Sequence, residues 1–255
     1  MASNNGEIVS LNINELNLEQ IFPNSLNFEN KDQGGSKIVV IGKPGTGKTT
    51  LITDLLYHKK HIFPIGLVVS GTEDSNGHYS QIFPSNFVHN KLDNNLIKNF
   101  IDRQKLSKKY ITNPWSILLL DDCTDNPKLF NDPLYQGIFK NGRHWKMLFI
   151  LSLQYCLDVK PVIRTNVDGC FILRETNLKN RKSLWEDDAG VIPDFNQFCD
   201  IMDQITDDYT ALYINNTGQS NNIEDCVFYY KAKSHKKFKF GCDEYRNYNN
   251  KSSHS

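Results

Sequence analysis

Gly42, Gly47, Lys48 and Thr49 stand in the spacing G-x-x-x-x-G-K-[ST], inside the run Ile-Val-Val-Ile-Gly-Lys-Pro-Gly-Thr-Gly-Lys-Thr-Thr at 38–50. That combination of residues binds phosphate. Small residues let the backbone curl so that successive N–H groups converge, and a following helix adds its positive N-terminal end. Lys48 supplies a mobile full charge for β- and γ-phosphates, and the Thr49 hydroxyl can reach a phosphate-bound Mg2+. The expected cradle is Gly42, Lys43, Pro44, Gly45, Thr46, Gly47, Lys48, Thr49 and Thr50. A purely structural glycine turn has no need of the Lys-Thr pair, so the stretch predicts binding of a nucleoside triphosphate.

Two further stretches carry chemistry that a triphosphate site can use. Residues 114–122, Pro-Trp-Ser-Ile-Leu-Leu-Leu-Asp-Asp, form an apolar run closing on two acids. Asp121 can hold Mg2+ through water, and Asp122 can orient and deprotonate an attacking water. A longer Glu is common in the second position, so Asp122 requires a slightly nearer water. Residues 146–154 form another apolar run that ends on Gln154, an amide able to touch both γ-phosphate and water.

The elements that must position these groups follow from periodicity. Five apolar runs, 37–42, 65–70, 115–121, 146–153 and 167–173, alternate with helical patterns, the signature of a parallel α/β sheet covered on both faces. Helices are expected over 50–57, 92–110, 134–141 and, in more polar form, 178–206. Residues 209–214 and 226–230 alternate apolar and polar about an Asn-rich turn, which predicts an added β-hairpin. The division expected is an N-terminal extension over 1–34, an α/β core over 35–230, and a basic, flexible tail over 231–255 with net charge +5. In that tail Phe238 and Phe240 alternate with lysines, a mixture suited to phosphate backbones or base stacking, or to a plain solvated arm.

The totals exclude more than they assign. Lys plus Arg and Asp plus Glu are 29 each, so no global charge points to nucleic acid or membrane. The six cysteines form no C-x-x-C pair and no zinc-spaced cluster, as expected of free thiols in a reducing compartment. No apolar run reaches the ~18 residues of a membrane span, and the N-terminus lacks a signal pattern, so a soluble intracellular protein is expected. Asp74-Ser-Asn-Gly77 and Asn90-Lys-Leu-Asp93 spell GTPase elements, but only 12 residues separate Gly77 from Asn90. That is too few for the βα unit that parts those elements in a GTPase.

With Gly-Lys-Pro-Gly-Thr-Gly-Lys-Thr, Leu-Leu-Leu-Asp-Asp, Gly-Arg-His-Trp-Lys and Leu-Ser-Leu-Gln-Tyr in this order, residues 37–230 resemble the poxvirus-like genome-packaging ATPases of large DNA viruses and virophages, in the FtsK–HerA superfamily. The resemblance implies a RecA-like P-loop fold, with Lys48 and Thr49 as the Walker A pair, Asp121 and Asp122 as the Walker B pair and Gln154 as sensor. It offers Arg143, then Arg164, as an arginine finger supplied to a neighbouring subunit. It further implies ATP and Mg2+, a homo-oligomeric ring, double-stranded DNA and capsid or portal proteins as partners, and a place in the host cytoplasm or on the virion. A nucleotide kinase would share the P-loop but needs an arginine-rich lid, for which Arg174 and Arg181 are the nearby candidates. A nucleotide-gated interaction protein would not need the intact acids.

Overall fold

Lys37–Ile41 and Met147–Leu153 are apolar apart from Lys37 and Ser152 and contain no breaker, and both are buried along their whole length. The structure, a computed structural model, describes residues 12–123, 127–155 and 161–248. Its strands are β1 (Asn14–Glu15), β2 (Lys37–Ile41), β3 (Ile65–Ser70), β4 (Val88–His89), β5 (Ser116–Asp121), β6 (Met147–Leu153), β7 (Gly169–Ile172), β8 (Thr210–Asn215) and β9 (Val227–Lys231). The longer helices are α1 (Lys48–Lys59), α2 (Asn94–Tyr110), α3 (Pro133–Asn141), α4 (Leu178–Asp188) and α5 (Phe195–Ile205).

The sheet has nine strands, in the order β1-β9-β8-β7-β2-β6-β5-β3-β4, rather than the five expected. The five expected strands are all present and adjacent, with β2 parallel to both β6 and β7 and β5 parallel to β6 and β3. Every residue in them is buried, so both faces are covered, as continuous apolar runs require. The remainder comes from short or amphipathic segments. The hairpin β8–β9 adds antiparallel to β7, and two-residue strands β1 and β4 finish the edges.

Parallel register puts the C-terminal ends of β2, β3, β5 and β6 together, so the loops after them converge. The helix patterns shift slightly. α1 starts at Lys48, α2 is capped by Asp93 accepting from the Asn95 N–H, and the polar 178–206 region divides into α4 and α5. Asn90 and Asp74, from the two GTPase-like stretches, hydrogen-bond each other, with the Asn90 amide donating to the Asp74 carboxylate.

Residues 12–34 are tied to the core by two lysines. The Lys59 ammonium donates to the carbonyls of Leu18, Ile21 and Pro23, and Lys146 donates to those of Asn30 and Gln33. Burial pushes Lys59 down to about 8. Leu16 and Ile21 are buried.

The described part of the C-terminal segment, through residue 248, is packed rather than free. Phe240 lies buried against Phe63 and Phe83, and the Tyr245 hydroxyl donates to the Gly66 carbonyl at 2.6 Å. Phe238 packs edge-on against Tyr57. Phe240 is therefore unavailable to stack on bases, because core burial outweighs the polar character of the flanking lysines, whereas Phe238 is only half-buried. The extension's residues 1–11, the tail's 249–255 and Cys156 lie outside the described residues.

Candidate functional site

β2 ends at Ile41 and α1 begins at Lys48, leaving residues 42–47 as the turn between them. Gly47, at the helix N-cap, has φ +100, a left-handed conformation that strains any residue with a Cβ. The first turn of α1 presents N–H groups that have no intrahelical acceptor. Lys43, Pro44, Gly45, Gly47, Lys48, Thr49 and Thr50 line one cavity of about 640 Å3 together with Asp121 and Asp122. Of the expected cradle, Gly42 and Thr46 serve the loop itself. The Gly42 carbonyl accepts from Lys48 Nζ at 2.6 Å, and Thr46 Oγ1 donates to the Lys43 carbonyl at 2.7 Å.

The two acids differ in environment. Asp121, at the end of β5, is buried, and its Oδ2 accepts a hydrogen bond from Tyr79 Oη at 2.8 Å. Asp122 follows with φ +45 and turns its Oδ2 to Lys48 Nζ at 3.3 Å. Burial raises the Asp122 pKa, with Asp121 adding to the rise, while Lys48 and a hydrogen bond from Gln154 oppose it. The sharp turn needs room from β3. A Cβ on Gly71 would lie 2.2 Å from the Asp122 carbonyl oxygen.

The Oδ1 atoms of both Asp121 and Asp122 are buried with no hydrogen-bond partner. Two unpaired carboxylate oxygens beside a hydroxyl-bearing P-loop are a donor set suited to a hard divalent cation and its water. Thr49 and Asp121 fit a Mg2+ ion on that ground. Gln154 stands at the end of β6 where expected, touching Asp122 and lining a small adjoining cavity with Tyr155 and Glu175.

The arginines are elsewhere. Arg143 precedes β6, so it lies at the opposite end of the sheet from the P-loop, and it pairs with Asp168 at 2.8 Å. It is therefore not a cation on its own chain's paired acids. Arg164 pairs with Asp187 at the same far end, just before β7. Arg174 and Arg181 both hold Asp203, which leaves neither as a free lid residue.

Several cavity residues gave no local signal. Thr72 and Asn76 come from the polar stretch after β3, and Asp208, Tyr209, Lys231, Ala232 and Ser234 from around the hairpin. Tyr209 stands over the loop, 3.2 Å from where a Gly47 Cβ would be, with 66% of its surface exposed. Asp208 and Tyr209 both have positive φ, +48 and +58, an uncommon conformation for a bulky side chain and a mark of functional turns. The Lys43 ammonium is held by Glu175 at 2.6 Å and Lys231 by Asp208. Burial alone would raise Glu175, but hydrogen bonds from Lys43, Asn177 and Asn180 hold it below the usual carboxylate value.

The fold and cavity are those of a P-loop α/β protein. The structure superposes on the genome packaging NTPase B204 of Sulfolobus turreted icosahedral virus 2 in complex with AMPPCP, with TM-score 0.58, 17% identity, and 81% of this chain and 100% of that one covered. It is also similar to the conjugation coupling protein TcpA of pCW3 with ATPγS bound (TM-score 0.55, 13% identity, 77% and 60% covered). At such identities the likeness is one of fold.

No protein-family model matches the chain. In sequence it is 51% identical to uncharacterized protein 088R of Invertebrate iridescent virus 3 over 94% of this chain and 93% of that protein. It is 39% identical to uncharacterized protein 015R of Frog virus 3, with 86% and 68% covered, and 32% identical to uncharacterized protein L437 of Acanthamoeba polyphaga mimivirus, with 84% and 78% covered. The chain belongs to the family of large-DNA-virus proteins that contains these three.

Proposed function

We propose that the protein is an ATP-hydrolysing DNA translocase that packages a double-stranded DNA genome into a preformed viral capsid. The observation that carries the hydrolytic part is the Asp121–Asp122 pair, each with a buried, unpartnered oxygen, beside Lys48 in one cavity. Loop N–H groups and Lys48 hold the phosphates. Asp122 takes the proton of the attacking water, and Gln154, bonded to the same carboxylate, orients that water. Mg2+ held by Thr49 and Asp121 would neutralise charge on the β- and γ-phosphates. Tyr209 gives the nucleobase an aromatic platform.

No arginine is among the described residues that line the cavity. A neighbour's Arg143, or failing that Arg164, would complete the site in a homo-oligomeric ring, so that assembly switches hydrolysis on. Packaging is supported by kinship with large-DNA-virus proteins and by likeness in fold to the genome packaging NTPase B204. DNA, capsid or portal proteins, and a place in the virus factory or virion belong to the same reading. A kinase is disfavoured because Arg174 and Arg181 are already bound to Asp203.

Phosphate release measured with and without double-stranded DNA tests the proposal. Stimulation by DNA is expected. Hydrolysis indifferent to DNA would overturn the translocase reading, and transfer of labelled phosphate to a small acceptor would replace it with a kinase.

A further inference from the structure

The C-terminal half of α1 carries a second cluster that the ATPase reading does not use. Asp54 and His58 are one turn apart on that helix, and His235 comes from the segment after β9. Both imidazole Nε2 atoms converge on a single carboxylate oxygen. His58 Nε2 is 3.2 Å from Asp54 Oδ1, and His235 Nε2 meets that same Oδ1. The three potential ligand atoms all lie within 4.8 Å of one another.

The groups around them hold this geometry. Asp54 is fully buried, and its other oxygen, Oδ2, accepts from Tyr230 Oη at 2.7 Å and from the Lys233 N–H at 3.1 Å. The carboxylate is thereby locked with Oδ1 facing the two rings. Tyr57 stacks on His235 with centroids 3.7 Å apart and planes within 8°, which fixes that ring's orientation. His58 is half exposed and lines an open groove of about 420 Å3 with Glu15 and Glu19, so an ion and a water have a path in. A carboxylate fixed by outer donors and two convergent imidazoles, with one side open, are the components of a three-ligand transition-metal site.

We propose that Asp54, His58 and His235 bind a divalent metal of the zinc class. Two nitrogens and one oxygen favour Zn2+ over the hard Mg2+ of a phosphate site. The ion would fasten the segment after β9 to the P-loop helix. Ala232 and Ser234 of that segment wall the nucleotide cavity, so occupancy would stiffen one side of it. The proposal stands on this cluster alone and is independent of the ATPase reading.

The test is a Co2+ titration of chelator-stripped full-length protein in excess Mg2+, read by visible absorption and reversed with Zn2+, alongside thermal melts. One Co2+ per chain, displaced by Zn2+, is expected, with a Zn2+-dependent rise in melting temperature. Loss of an outer-shell partner already costs up to about 100-fold, so removing a ligand with His58→Gln or His235→Gln should weaken Co2+ binding by at least about 100-fold and abolish the Zn2+-dependent rise. His58 is half exposed, so its variant keeps the test valid if His235→Gln folds poorly. Absence of cobalt absorption, or equal affinity in wild type and His58→Gln, would overturn the proposal and leave a hydrogen-bonded cluster only.

Discussion

Replacing Tyr79 with Phe removes one oxygen atom and isolates the acid at the end of β5. The phenol donates to Asp121 Oδ2 at 2.8 Å inside the core, and Oδ1 of the same carboxylate already has no partner. Asp121 is only 3% exposed, so water cannot take the hydroxyl's place. A hydrogen bond to a charged group contributes about 1.5–3 kcal/mol, and the buried acceptor keeps its desolvation cost when the donor goes. Tyr79→Phe should therefore destabilise the nucleotide-free protein by about 2 kcal/mol. For a chain of this length that lowers Tm by about 4–8 °C. Because Asp121 also stands where Mg2+ would bind, the variant should need more Mg2+ for half-maximal hydrolysis. Mg2+ with a non-hydrolysable ATP analogue should narrow the Tm gap, since the cation then stabilises the orphaned carboxylate. Melting curves with and without that ligand, plus hydrolysis against Mg2+ concentration, give the answer. A variant that melts with wild type and keeps the same Mg2+ midpoint would refute the reasoning, and with it the claim that Tyr79 orients Asp121.

Asp122→Asn should retain ATP binding and lose about 10²- to 10⁴-fold in hydrolysis, the usual contribution of a general base. Burial raises the Asp122 pKa, so wild-type activity should fall on acidification at a higher pH than an ordinary aspartate gives, as the base becomes protonated. Tyr209→Ala should weaken ATP by about 10- to 100-fold, from the ~1–3 kcal/mol of one stacked base, and leave tripolyphosphate binding unchanged in calorimetry. Burial lifts Asp188 to about 6. A raised carboxylate favours the folded state at low pH, and that stability is lost as pH rises through the folded value. Asp188→Asn should therefore be more stable than wild type at pH 8, by up to about 3 kcal/mol, with no gain at pH 3.5; an equal gap at both pH values contradicts this. Mixing Arg143→Ala subunits with Asp122→Asn subunits should restore hydrolysis in rings that pair an intact Arg143 with an intact Asp122, and mixtures that stay inactive exclude the trans role.

What could be read from the sequence is what short-range pattern encodes. The P-loop, the paired acids and the strand-end Gln154 each sit at the C-terminal end of an unbroken apolar run, so local order already fixes which end of the sheet they occupy. Tyr79 was hidden because its partner lies 42 residues away, and nothing near it distinguishes it from a loop tyrosine. The strand Asn14–Glu15 has no periodicity at all and exists because Phe228 and Tyr229 offer it a sheet edge. Phe238 and Phe240 sit among lysines, so composition marks the segment as solvated. Phe63 and Phe83, far upstream, decide otherwise. Tyr209 reads as the first residue of a strand, and its positive φ beside the loop is a tertiary outcome.

The position of the arginines follows from chain direction and bears on how the site must be completed. Gln154 follows β6 and Arg143 precedes it, and the seven residues of β6 alone, at about 3.3 Å each, span about 23 Å. No side chain bridges that distance, so Arg143 cannot serve the cavity of its own subunit. The same holds for Arg164, which precedes β7 on the same side. Both are already paired, with Asp168 and Asp187, and Arg143 is nonetheless 51% exposed. Its partner Asp168 is buried, but Lys37 Nζ stays 3.6 Å from that carboxylate, so releasing Arg143 to a neighbour's γ-phosphate does not leave the buried charge alone. Arg164 is far less exposed and would have to leave a more enclosed pair. If one subunit completes another's site, the ring contact must bring the N-terminal ends of one sheet against the C-terminal ends of the next, and Arg143 is the cation at that face with the lower barrier to transfer.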